Sequence, residues 1–249
     1  RGRGRPAAAE LFCGVGFVVT GMPQEERQRL EGVLQNHGGS VVGDFDELKV
    51  SAATLCKRLN VSEIVLVCSE PRRTLKLLYA LAHGLRPHSS LWVSRCIRLL
   101  RRLTPQPHDW LELPGCSGWP ARGTSGLFAG VTAVAIGSPQ WREQYVPLMC
   151  VAGADVRTDL SELAGTDKVA SRSVPRSHGG GAHILAHRLV VMESASEKSS
   201  AVRSAMNSGI PIVLTEWVKQ CLMEQHICKI TPLRTQIKQE AARQAKSGL

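Results

Sequence analysis

Apolar positions fall along the chain in two alternating patterns. Short runs rich in β-branched residues, FVVT (17–20), Val41–Val42 and Ile64–Val67, predict buried strands. Between and after them the apolar residues recur at helical spacing. Pro23, suited to a first helical turn, opens a segment with Leu30, Val33, Leu34 and His37 on one face. A second predicted helix carries Leu75, Leu78, Tyr79 and Ala82 on one face, and a third Trp92, Val93, Cys96, Ile97 and Leu100. The latter half of the chain reads the same way. It has a strand at 131–136, a helix with Trp141, Tyr145, Leu148 and Met149, a strand around 189–192, a helix near 196–208, and a last helix with Trp217, Val218, Cys221 and Leu222. Alternating strands and helices predict an α/β fold with parallel sheets and helices on both faces.

The two halves share more than a pattern. Gly84 leads to Trp92 in GLRPHSSLWVSRCI, and Gly209 leads to Trp217 at the same spacing in GIPIVLTEWVKQCL. The common skeleton is a glycine, seven residues, then W-V-x-x-C followed by Ile or Leu. Upstream, HGGSVV (Gly38, Gly39) corresponds to AGADV (Gly153) as a glycine turn entering a strand. The longer glycine-to-tryptophan span of the second half is accounted for by SRSVPRSHGGG (171–181), a run of loop-forming residues. The chain therefore divides into a basic tail (1–10), a first repeat (11–102), a Pro/Gly-rich linker (103–127), a second repeat (128–228) and a basic C-terminal tail (229–249).

Composition narrows the function. The chain has 249 residues and is 43% hydrophobic, enough for buried cores, and its formal charge of +10 points toward anionic partners. The excess is local: the first ten residues, the cluster Arg95, Arg98, Arg101 and Arg102, and the tail from Lys229 account for all of it and leave the remainder balanced. A nucleic-acid binder reading with its whole surface would be basic throughout. No apolar run is long enough for a membrane helix, and no membrane partner is expected. Eight cysteines without a C-x-x-C pair disfavour a zinc ribbon and suit a reduced chain. Arg1 in place of Met suggests a piece of a longer protein.

Enzyme motifs fail inspection. HGGG (178–181) has no accompanying G-x-S-x-G nucleophile elbow. HILAH (183–187) lacks the glutamate of a zincin, and Gly14 and Gly16 lack the third glycine of a dinucleotide loop. No catalytic residue, metal or cofactor is expected.

With its glycine turn and W-V-x-x-C helix in each half, the chain resembles a tandem BRCT repeat over nearly all of residues 11–228. LFCGVGFVVTG, VVGDFDE and EWVKQCL are most similar to the checkpoint mediators of double-strand-break signalling. PRRTLKLLYALAHG is also similar to the BRCT pairs of the breast-cancer susceptibility protein and microcephalin. The resemblance implies two small four-stranded parallel sheets flanked by helices. It also implies a non-catalytic nuclear scaffold, read as a monomer, that binds a phosphorylated Ser/Thr motif such as a phosphorylated histone tail.

Readers of this family hold the phosphate with a Ser or Thr ending the first strand, the next backbone N–H, and a helix lysine. The matching residues are Thr20, Gly21 and Lys76, with Thr74 matching a supporting threonine. A phosphate dianion needs such hydroxyl, backbone and cationic donors near a helix N-terminus. Three charge-assisted bonds of about 1.5–3 kcal/mol each suffice for micromolar binding, about −8 kcal/mol. Arg73 and Lys76 are expected together on the first turn of the helix. In the specificity pocket the resemblance assigns Arg73, a position where relatives have an aromatic and this chain has Leu78, and a second-repeat window of Pro139, Gln140 and Arg142.

Two other readings stand beside this one. RGRGRP at the start resembles an AT-hook, in which Arg1, Arg3 and Arg5 would line a narrow minor groove of DNA. The repeats would then serve for protein packing alone. Alternatively, the pair is an appendage of a repair enzyme such as a ligase or polymerase.

Overall fold

The structure is a computed structural model. It describes residues 10–119, 126–164, 188–194, 200–233, 235–239 and 242. The chain forms two compact units, Arg1–Leu127 with Leu222–His226, and Phe128–Cys221 with Ile227–Leu249.

The first unit is built on a parallel sheet of four strands: β1 (Val15–Thr20), β2 (Ser40–Val41), β3 (Glu63–Cys68) and β4 (Pro87–His88), in the order β2-β1-β3-β4. β1 lies at the centre and is buried at every position, as a strand covered on both faces must be. Its register against β3 runs from Val15 opposite Glu63 to Thr20 opposite Cys68, so both strands end together. Three helices connect them, α1 (Gln24–Asn36), α2 (Ala52–Leu59) and α3 (Leu75–Ala82), and α4 (Ser90–Arg98) follows the last strand. Phe12, Val15, Phe17, Val19, Leu34 and Trp92 form one core cluster.

Two of these elements escape a periodicity reading. α2 shows one buried residue, Leu55, with Cys56 and Leu59 half-buried on the same face of a helix only eight residues long. Its signals are instead at its ends: Ser51 caps the first turn by accepting from the Thr54 N–H, and Asn60 closes the last in a left-handed conformation. β4 is only two residues long and has no alternation to detect.

The second unit repeats the plan with β5 (Thr132–Ile136), β6 (Asp155–Arg157), β7 (Arg188–Met192) and β8 (Ile212–Leu214), in the order β6-β5-β7-β8. Its helices are α5 (Pro139–Val151), α6 (Ser161–Ala164), α7 (Ser200–Asn207) and α8 (Thr215–Glu224). β8 hides inside the spacer between Gly209 and Trp217. The insertion 171–181 and the histidines at 178, 183 and 187 lie outside the described residues.

The structure supplies a physical reason for the repeated W-V-x-x-C. Trp92 Nε1 donates to the carbonyl of Leu103 at 3.1 Å, and the Leu103 N–H donates to Cys96 Sγ at 3.4 Å. Trp217 Nε1 donates to the carbonyl of Cys228 at 3.1 Å, and the Cys228 N–H donates to Cys221 Sγ at 3.2 Å. In each unit the tryptophan and cysteine of the last helix grip both backbone groups of one residue. They satisfy its polar atoms where the chain leaves the core. All eight cysteines are free thiols.

The start of the 103–127 segment is tied to the first unit. Asp109, 1% exposed, accepts from the Gln106 N–H at 2.9 Å and from Arg95 Nη1 at 2.6 Å. Trp110 bridges to His88, and Arg86 lies over its ring. Arg102 pairs with Glu63. The arginine cluster at the end of α4 is thus partly consumed in structural ion pairs. In the C-terminal tail, Gln236 is buried against β8, its Oε1 accepting from the Leu214 N–H at 2.9 Å.

Candidate functional site

The strands of a parallel sheet all end on one side, and the connections that follow them gather there. In the first unit this end collects the turn after β1, the segment after β2 and the N-terminus of α3. Thr20 is the last residue of β1 and Gly21 opens the turn; both are buried. Thr74 is the N-cap of α3, its Oγ1 accepting from the Leu77 N–H at 3.2 Å. The Thr20 and Thr74 hydroxyls lie 3.2 Å apart. Either hydroxyl can donate in this contact, since Thr74 Oγ1 keeps a second lone pair beside the one that accepts from Leu77. The pair uses one of its two protons on itself and leaves the other for an outside acceptor.

Gly21 has a structural role of its own. Its φ is +71°, and a Cβ there would stand 2.1 Å from the carbonyl oxygen of Glu70 and 2.5 Å from Cys68 Sγ. The Glu70 N–H in turn donates to the Gly21 carbonyl at 2.9 Å, locking the two strand exits together. Glycine is needed here for the backbone to close, apart from any ligand.

Lys76 reaches back across the sheet end. Its Nζ donates to the carbonyls of Val42 at 2.9 Å and Gly43 at 3.1 Å, just past β2. Two of its three protons are thereby used to position the ammonium, and one remains. Burial holds its pKa below the ordinary lysine value. The Glu31 carboxylate opposes that shift, and the Arg27 guanidinium adds to it. Asp44 and Glu47 are also within electrostatic reach, but both carboxylates cap the 3-10 turn Phe45–Lys49. The nearby Cys68 thiol is pushed up to about 12, chiefly by burial, and donates to the Glu70 carbonyl at 2.9 Å, so it is no nucleophile.

Arg73 is exposed and precedes the N-cap, so it does not share the first turn of α3 with Lys76 as the sequence suggested. The helix begins one residue after Thr74, because the threonine is spent on capping it. Leu78 is fully buried. In the second unit, Pro139, Gln140 and Arg142 are exposed on the first turn of α5. Arg1, Arg3 and Arg5 lie outside the described residues.

The corresponding strand end of the second unit is chemically different. Glu193, just after β7, accepts from the Ser138 N–H at 2.7 Å and from Ser138 Oγ at 3.1 Å. An internal carboxylate thus occupies the donors at the start of α5. The sequence reading missed this contact, as it did the approach of Arg27 and Glu31 to Lys76. The i,i+4 spacing of the latter two was the only available signal.

No protein-family model and no curated protein sequence matches the chain. Solved structures do. The BRCT5–BRCT6 domains of S. pombe Brc1 align with a TM-score of 0.52 over 86% of this chain and 94% of that one, at 16% identity. Rtt107p (residues 820–1070) aligns with a TM-score of 0.51 over 88% and 91%, at 11% identity. With two four-stranded parallel sheets, each flanked by helices, the fold is that of a tandem BRCT pair.

Proposed function

We propose that the chain is a non-catalytic binding module that reads a phosphorylated Ser/Thr motif through its first unit. In that role it would serve as a nuclear scaffold of the DNA-damage response, with a phosphorylated histone tail as a candidate partner. The observation that carries the reading is the convergence of Thr20, Thr74 and Lys76 at one strand end. A hydroxyl with a spare proton, a helix N-terminus and an ammonium held by two carbonyls stand together there. These are the donors a phosphate dianion requires. In the second unit Glu193 already supplies the anion, which favours one phosphate per chain. In the first unit, Arg73, exposed just before α3, is the candidate for reading the residues that follow the phosphate.

Fluorescence polarisation with a peptide ending in pSer-Gln-Glu-Tyr and its unphosphorylated twin tests this. The wild-type chain should prefer the phosphorylated peptide. Thr20→Ala and Lys76→Met should each weaken it about tenfold or more while leaving the unphosphorylated peptide unchanged. Equal binding of the two peptides by the wild type overturns the reading.

A further inference from the structure

β3 is only half covered on its outer side. β1 pairs with it along all six residues, from Glu63 to Cys68, whereas β4 pairs only with Leu66 and Val67. The outer side of β4 is itself occupied: the Ser89 N–H donates to the Asp109 carbonyl at 2.8 Å, and the Leu111 N–H to the Pro87 carbonyl at 2.9 Å. The Leu66 carbonyl faces β4, 3.2 Å from His88 Nδ1. Backbone groups two residues apart on a strand face the same side, so the Ile64 N–H and carbonyl point outward as well, short of where β4 begins. Among the described residues nothing hydrogen-bonds to them from that side.

Glu63, Ile64 and Val65 line a cavity of about 810 Å³, within the range of ligand sites. Trp110 and Trp119, both half-buried, line it too. Its charged lining residues are Glu63, Arg86 and Arg102, and Glu63 pairs with Arg102. Arg86 has no carboxylate partner among the described residues; its guanidinium lies 4.2 Å from the centre of the Trp110 ring. The lining therefore carries one uncompensated positive charge beside aromatic surface. A bare strand edge is a template for pairing with another chain. In strand addition, backbone bonds hold a peptide while the neighbouring pocket selects its side chains. We propose that this cleft binds a short acidic segment of a partner protein, added as a strand along Glu63–Val65, with a carboxylate against Arg86 and an apolar side chain against Trp110 and Trp119. Glu63 begins β3 and Cys68, opposite Thr20, ends it, so the cleft and the proposed phosphate site lie at different ends of the sheet.

Labelled hexapeptide pools with blocked termini, each with one central residue fixed and the rest random, are titrated against the full chain to test it. Pools fixed as Asp or Glu should bind about tenfold more tightly than the Lys pool. Arg86→Gln should erase that preference and Arg86→Glu should reverse it. The acidic pools should slow hydrogen exchange at the Ile64 amide, which a ligand held by side chains alone leaves unchanged. N-methylating the peptide backbone should abolish binding, since strand pairing needs its N–H groups. Thr20→Ala and Lys76→Met should bind the pools as the wild type does. Acidic pools that bind no better than the Lys pool, or that bind without protecting Ile64, overturn the proposal. Binding lost in Lys76→Met but kept in Arg86→Glu belongs to the strand end at Thr20 and overturns it equally.

Discussion

At the scale of single residues, the proposed phosphate site is defined by the protons its internal hydrogen bonds leave over. Thr74 accepts from the Leu77 N–H and shares one hydrogen bond with the Thr20 hydroxyl, and Lys76 spends two donors on Val42 and Gly43. What remains is one hydroxyl proton of the pair and one ammonium proton. The pH dependence follows from the charges. The peptide phosphate gains its second negative charge near pH 6, so affinity should rise from about pH 5 to 7. Burial disfavours the Lys76 cation, so its proton is lost at lower pH than from a free lysine, for which the pKa is about 10.4. Affinity should therefore begin to fall on the alkaline side earlier than an exposed lysine would allow. A titration of affinity against pH checks both limbs, and Lys76→Met should retain the acid limb and lose the alkaline one. Gly21→Ala is expected to destabilise the unit by about 2 kcal/mol or more, seen as a lower denaturation midpoint, because the new Cβ meets the Glu70 carbonyl at a forbidden distance.

At the scale of elements, what the sequence disclosed depended on length. The buried central strands and the helices with several apolar positions on one face announced themselves, from FVVT to the tryptophan helices. α2 was missed although Leu55, Cys56 and Leu59 share one face, because the pattern spans only two turns; β4 (Pro87–His88) lacks the paired valines that marked the equally short β2, and β8 lay inside the glycine-to-tryptophan spacer. The repeated W-V-x-x-C was visible as a spacing, but its meaning was not. The residue it grips lies beyond the helix, seven residues after the cysteine. The proposed phosphate-site residues come from the resemblance, and the start of α3 was misjudged by assigning Arg73 to its first turn. Asp109 is another element-scale feature hidden from the sequence. It is buried, and although desolvation alone would raise its pKa, the Gln106 N–H and the Arg95 guanidinium hold it below the usual carboxylate value. A carboxylate with a depressed folded pKa stabilises the fold above its unfolded pKa, and that contribution is lost as pH falls through the folded value. Asp109→Asn should remove this acid-sensitive component and lower stability by about 1–3 kcal/mol, as measured by denaturant unfolding at pH 7 and again near pH 3.

At the scale of the whole molecule, the net charge of +10 has little to do with the proposed chemistry. Arg95 and Arg102 are held in ion pairs within the first unit, and the proposed site draws on Lys76, inside the balanced part of the chain. The two units have the same topology but different polar groups at the matching strand end. Thr20 and Lys76 offer donors in the first, whereas Glu193 already fills them in the second. The account therefore requires that binding be confined to one of two similar sheets. An amide-resolved NMR titration of the chain with the phosphorylated peptide reads this directly. The largest shifts are predicted at Thr20, Gly21 and the Thr74–Leu77 turn, with Gly137 and Ser138 unmoved and no shifts from the unphosphorylated peptide. Shifts centred on Ser138 and the start of α5, with the Thr20–Gly21 amides unchanged, would contradict it.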